Sequence, residues 1–114
     1  MQRDDSFLLD MLQAARQILE YTNGLQELDF LSSRRDQDAV LLQFPVLGET
    51  AKRVSVEFQN THSEIPWRKI IGFRNVLVHD YFQVDFHRAW KIASRDIPAL
   101  INTLEPLVPP DSSP

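Results

Sequence analysis

Val40, Phe44, Leu47, Ala51, Val54 and Phe58 follow one another by steps of four, three, four, three and four residues. That rhythm holds six apolar side chains on one side of a 3.6-residue helix for about five turns, and an alternating β-strand cannot reproduce it. It recurs elsewhere. Phe7, Leu8, Met11, Leu12, Ala15, Ile18 and Leu19 predict a helix from about Asp5 to Tyr21, and Phe86, Trp90, Ala93, Ile97, Leu100, Leu104 and Leu107 predict another. No strand-like alternation and no internal repeat stands out, so the chain is confined to packing helix on helix.

The residues between the stripes set the expected boundaries. Thr22-Asn23-Gly24 stops the first helix, because glycine and asparagine tolerate the left-handed conformation. Ser32 or Ser33 can cap the second, and Pro45, lacking a backbone donor, is expected to kink or split it near Leu41 to Pro45. Pro66 suits the first position of a third helix, whose apolar faces are Trp67, Ile70, Ile71, Phe73, Leu77 and Val78. Gly72 weakens that helix and is read as a point of close backbone approach to a neighbour. Asp85 caps a fourth helix, which Pro98 should kink near Ser94. The expected fold is an all-α, antiparallel four-helix bundle with kinked second and fourth helices. With 114 residues and 43% hydrophobic content, one core is affordable: residues 1–108 are expected to form a single domain, with 109–114 as a flexible Pro/Ser tail.

Several function classes drop out. Without cysteine there is neither a disulfide nor a thiolate metal site nor a Cys-His nucleophile, and the composition fits a reducing, cytoplasmic setting. The N-terminus has no secretion-signal pattern, and no apolar run approaches the roughly 20 residues that span a bilayer. No Walker-type or dinucleotide glycine loop is present. His62 and His87 sit in or near connections, and no His/Asp/Glu cluster has a metal-ligand spacing, so no metal and no cofactor are expected. Ser94, His79 and Asp80 could be combined into a triad on paper, but no nucleophile elbow supports one.

Charge narrows the question. The chain carries a formal −4, yet between Ile65 and Arg95 six bases (Arg68, Lys69, Arg74, Arg88, Lys91 and Arg95) face only two acids, Asp80 and Asp85. A basic region on an acidic protein suits a local polyanion site, or simply a solvated face, and suits long sequence-independent duplex binding poorly.

Within that region Arg74-Asn75-Val76-Leu77-Val78-His79-Asp80-Tyr81 gathers a guanidinium, an amide, an imidazole and a phenol. Each has an ordinary structural role open to it: a surface ion pair, a cap, a helix-end histidine, a boundary tyrosine. Together they are the parts of a phosphodiester-cleaving site, a fork of donors for phosphate and a proton carrier near neutral pH. On an ideal helix Arg74 and Tyr81 share a face, whereas His79 stands roughly 140° from Arg74. Either the helix loosens before His79 or a second copy completes the site across a two-fold axis.

The run from Ile65-Pro66-Trp67 through Gly72-Phe73-Arg74-Asn75 to His79-Asp80-Tyr81 resembles the signature of the HepT-like toxins of the HEPN superfamily. Val84-Asp85, Trp90 and Asp96-Ile97-Pro98-Ala99-Leu100 resemble that family's last helix, and Gly48-Glu49-Thr50-Ala51-Lys52-Arg53 its second. The resemblance implies a homodimeric helical bundle in which Arg74 and His79 of both subunits line a shared cleft, as catalytic residues of a metal-independent endoribonuclease. Asn75 would support them. It also implies the toxin of a type VII-like toxin–antitoxin pair, whose partner, an MntA-type minimal nucleotidyltransferase antitoxin, neutralises it by transferring AMP to Tyr81. Asp80 lies where the family varies and receives no role. The competing expectation is a non-catalytic helical dimer that binds a nucleotidyltransferase partner or a nucleotide.

Overall fold

A computed structural model describes residues 2–75 and 84–109, and every regular element among them is helical. The elements are α1 (Gln2–Thr22), α2 (Glu27–Leu31), α3 (Arg34–Arg53), α4 (Val56–Thr61) and α5 (Trp67–Ile71), which tightens into a 3₁₀ turn over Gly72–Arg74. After residues 76–83 come α6 (Phe86–Lys91), a π turn (Ile92–Asp96), α7 (Ile97–Leu104) and a closing 3₁₀ turn (Glu105–Leu107). The fold is all-α and built of several helices, as the periodicity requires.

The two long stripes form the centre. Leu8, Met11, Ala15 and Ile18 of α1 and Val40, Phe44, Leu47 and Ala51 of α3 are completely buried, and α1 packs most extensively on α3. α7 covers the other side of α1 with Ile97 and Leu104, also fully buried. Burying such side chains stabilises a fold by about 1.5–3 kcal/mol each. Phe44 meets Phe73 at a ring separation of 5.8 Å, which fastens the 3₁₀ turn to α3.

Boundaries follow identifiable caps. Gly24, at φ +80°, ends α1 in the left-handed conformation. Ser33, one of the two expected caps, accepts the Asp36 N–H at 3.2 Å, and Asp85 accepts the Arg88 N–H at 3.1 Å. Between Gly24 and Ser33 lies α2, an element the periodicity did not single out. Its Phe30 is buried and meets Trp90 of α6 at 5.5 Å, while the Gln37 amide donates to the carbonyls of Phe30 and Leu31, both at 3.1 Å.

Three details differ from expectation. Pro45 does not split its helix: α3 runs through it from Arg34 to Arg53. The interruption of the long stripe falls at Val54 and Ser55 instead, where Asp4 of α1 accepts the Ser55 N–H at 2.9 Å and its hydroxyl at 2.6 Å. Ser55 then caps α4 by accepting the Phe58 N–H at 3.1 Å. Pro66 stands one residue ahead of the first helical position, as the N-cap of α5. Near Pro98 the disturbance takes the form of a π turn, with Pro98 in the first turn of α7. The missing proline N–H and the ring's clash with the carbonyl at Ser94 make a wider turn there the accommodating geometry. Of the expected tail, residues 110–114 lie outside the described residues.

Candidate functional site

Trp67 and Ile70 bury one side of α5, and its last turn tightens at Gly72. A 3₁₀ turn advances three residues per revolution. Phe73 therefore points into the core, 3% exposed, and the next residue, Arg74, turns outward. The Arg74 guanidinium, 42% exposed, forms an ion pair with Glu49 of α3. At that exposure the pair contributes about 0–1 kcal/mol, so it aims the guanidinium more than it stabilises the fold. Asn75 follows, exposed, its backbone N–H closing the turn onto Gly72 and Phe73 carbonyls. His79 and Tyr81, the other two expected site residues, lie outside the described residues, as does Asp80.

Glu49 reaches Arg74 because the residue before it is Gly48. A methyl group on Gly48 would stand 3.2 Å from the carbonyl oxygens of both Ile70 and Ile71, so α3 and α5 touch backbone to backbone. The close approach expected at Gly72 is thus found at Gly48; a methyl at Gly72 would meet only the Asn75 amide, at 4.0 Å. What Gly72 does is leave space.

That space belongs to a cleft of about 540 Å³ between the α5 turn and α6. Arg68, Lys69 and Asn75 stand on one side and Arg88, Lys91 and Asp96 on the other, with Gly72 among the lining residues. Lys69 is bound to Asp96 at 3.1 Å. Among the described residues no carboxylate pairs with Arg68, Arg88 or Lys91. The basic bias between Ile65 and Arg95 is therefore concentrated: four of its six cations meet in one hollow, and Asn75 joins it to the Arg74 turn.

The π turn brings Asp96 into the second wall, which α6 otherwise supplies through Arg88 and Lys91. Lys91 and Asp96 are five residues apart, which on a regular α-helix would turn them roughly 140° away from each other. A π turn closes i to i+5, and both residues line the same cleft. The cations and the proline stand out in the sequence, whereas Glu49 stands there only as part of the run Gly48–Arg53, with nothing to pair it with Arg74, 25 residues on.

No group of three or more His, Asp or Glu among the described residues is arranged to hold a metal ion. No helix among them is long and apolar enough to cross a membrane.

The profile of the family described as Ribonuclease HepT-like matches residues 11–107, from the second half of α1 to the closing turn. The chain belongs to that family. A protein of Thermococcus cleftensis named a probable ribonuclease HepT is 37% identical to this HepT-like chain over 101 residues, covering 89% of this chain and 92% of the relative. A protein of Caldanaerobacter subterraneus subsp. tengcongensis, named as an RNase, is 31% identical over 82% of this chain and 84% of its own. One of Methanocaldococcus jannaschii, also named as an RNase, is 29% identical over 88% and 92%. No solved structure gives a significant match.

Proposed function

We propose that this HepT-like chain is a toxin that cuts RNA without a metal ion. The observation that carries the reading is the position of Arg74, presented on a tight turn that leads through Asn75 into a cleft of cations, within a family of ribonuclease type. In RNA the 2′-hydroxyl is a nucleophile beside every phosphodiester. A base that takes its proton, and a cation that stabilises the phosphorane as the 5′-oxygen leaves, complete a cleavage chemistry. His79 serves as the base and Arg74 as the cation, while Asn75 orients the phosphate. The leaving 5′-oxygen takes a proton from protonated His79 or from water, so the products are a 2′,3′-cyclic phosphate and a 5′-hydroxyl. Two copies form a homodimer and contribute Arg74 and His79 to one shared cleft. A nucleotidyltransferase antitoxin transfers AMP from ATP to the Tyr81 hydroxyl, with pyrophosphate as the leaving group, and the added anion competes with RNA for Arg74 by charge and bulk.

The test is cleavage of single-stranded RNA in EDTA by protein purified free of any partner. Arg74→Ala and His79→Ala should each lower the rate by about 100-fold or more. Full activity in both variants overturns the site, and no cleavage by the wild-type protein overturns the activity and favours a non-catalytic nucleotidyltransferase-binding dimer. Co-expression with a partner nucleotidyltransferase should add one or more AMP units, and Tyr81→Phe should abolish the addition.

A further inference from the structure

We infer that the cleft between the α5 turn and α6 holds a backbone phosphate of the RNA next to the one being cut, with Arg88 and Lys91 as its principal ligands. The inference rests on the nuclease reading and extends it to substrate binding. Arg88 and Lys91 stand three residues apart on α6 and face Arg68 and Asn75 across the hollow, and all four side chains are exposed to solvent. Lys69 is already neutralised by Asp96 at 3.1 Å, whereas no described carboxylate pairs with Arg68, Arg88 or Lys91. Three cations that no described carboxylate pairs surround one concavity and repel one another, and a phosphate with oxygens on several sides answers all of them.

The shape agrees with such an occupant. Its volume, about 540 Å³, lies inside the range of small-molecule clefts, roughly 300–1,000 Å³. Phe73 and Ile92, its apolar lining residues, are 3% and 4% exposed, so the hollow offers no large hydrophobic surface. A protein partner would seek buried aromatic or aliphatic anchors at the centre of its footprint. The lining offers point charges and an amide instead. Asn75, which lines the cleft, follows Arg74 directly, so the hollow adjoins the Arg74 turn, and a phosphate bound in it is taken as a neighbour of the scissile one. A second hollow, lined by Asn60, Ser63, Pro66, Trp67 and Ile71, shares Arg68 and Lys69 with the first and is more apolar.

The decisive measurement is binding of a single-stranded, fully 2′-O-methylated RNA oligonucleotide, which lacks the attacking hydroxyl, followed by fluorescence anisotropy over a series of salt concentrations. Arg88→Ala/Lys91→Ala should bind at least about 10-fold more weakly at low salt, and its plot of log affinity against log salt should be shallower by about 0.7, the one single-strand phosphate contact that the two side chains share. Arg34→Ala/Arg35→Ala removes the same charge outside the cleft and should keep the wild-type slope. Circular dichroism checks that both variants fold. The proposal is overturned if the cleft variant keeps the wild-type affinity and slope, if the control loses as much, or if the wild-type protein does not bind the strand. Cleavage of unmodified RNA by the wild-type and His79→Ala proteins is read separately. Binding that depends on Arg88 and Lys91 without any cleavage discards the nuclease reading and keeps the cleft. Cleavage with an unaltered salt slope does the reverse.

Discussion

A methyl group at Gly48 would need the carbonyls of Ile70 and Ile71 to retreat by a few tenths of an ångström, and these carbonyls end a short helix whose Trp67 and Ile70 side chains are locked in the core. Overpacking of this kind costs about 1–3 kcal/mol, against a propensity gain of about 1 kcal/mol for replacing glycine inside a helix. Gly48→Ala should therefore lower stability in urea melts and, by separating α3 from α5, loosen Glu49 from Arg74. Gly72→Ala has room and an ordinary negative φ, so it should melt at the wild-type denaturant concentration or above. Equal behaviour of the two variants would sink the assignment of the close approach to Gly48. Helix periodicity could not have told these glycines apart. Propensity marks both as weak points, and which of them faces another backbone is decided only when α3 and α5 meet.

At the scale of elements the same distinction separates what was legible from what was not. Pro98 announced a disturbance of its helix because the defect is local, a missing donor and a ring against the preceding turn. The end of α3 was not legible, since the apolar stripe continues through Val54 to Phe58 and nothing nearby breaks it. The break comes from Asp4, on another helix, which takes both the N–H and the hydroxyl of Ser55. The Ser55 hydroxyl bond is the main cause that holds the Asp4 carboxyl below its ordinary 3.8; the Ser55 N–H adds to it, and burial works in the opposite direction. The sign follows from linkage. A depressed carboxyl contributes stability that is complete above the unfolded value of 3.8 and is lost as pH falls through the lower folded value. Asp4→Asn should cost about 1.5–3 kcal/mol at pH 7, typical for a hydrogen bond to a charged group, and should flatten the stability profile below 3.8. Thermal melts of both proteins across the acid range measure it; parallel profiles would show that the Asp4–Ser55 contact is not a source of the acid sensitivity.

For the whole molecule, the all-α architecture was legible because burial needs only the phase of the apolar residues, and Arg74 and Asn75 were legible because their chemistry is unusual at that spacing. The cleft was half legible: the charge bias gave its cations, while their convergence depends on the tertiary fold setting the α5 turn opposite α6. The proposed two-fold site carries its own test at this scale. On an ideal helix Arg74 and His79 diverge by roughly 140°, which is the reason to seek the second member of the pair on another copy. Arg74→Ala protein retains His79, and His79→Ala protein retains Arg74, so a mixed dimer holds one of each on opposite subunits. If the working pair spans the two-fold axis, mixing the two inactive variants under conditions that allow subunit exchange should restore part of the wild-type RNA cleavage, and the activity should rise with the heterodimer fraction measured by native mass spectrometry. If each chain uses its own Arg74 and His79, no mixture regains activity, however completely the subunits exchange. A wild-type protein that stays monomeric at every concentration where it cuts RNA would remove the two-fold arrangement altogether and require His79 to reach Arg74 within one chain.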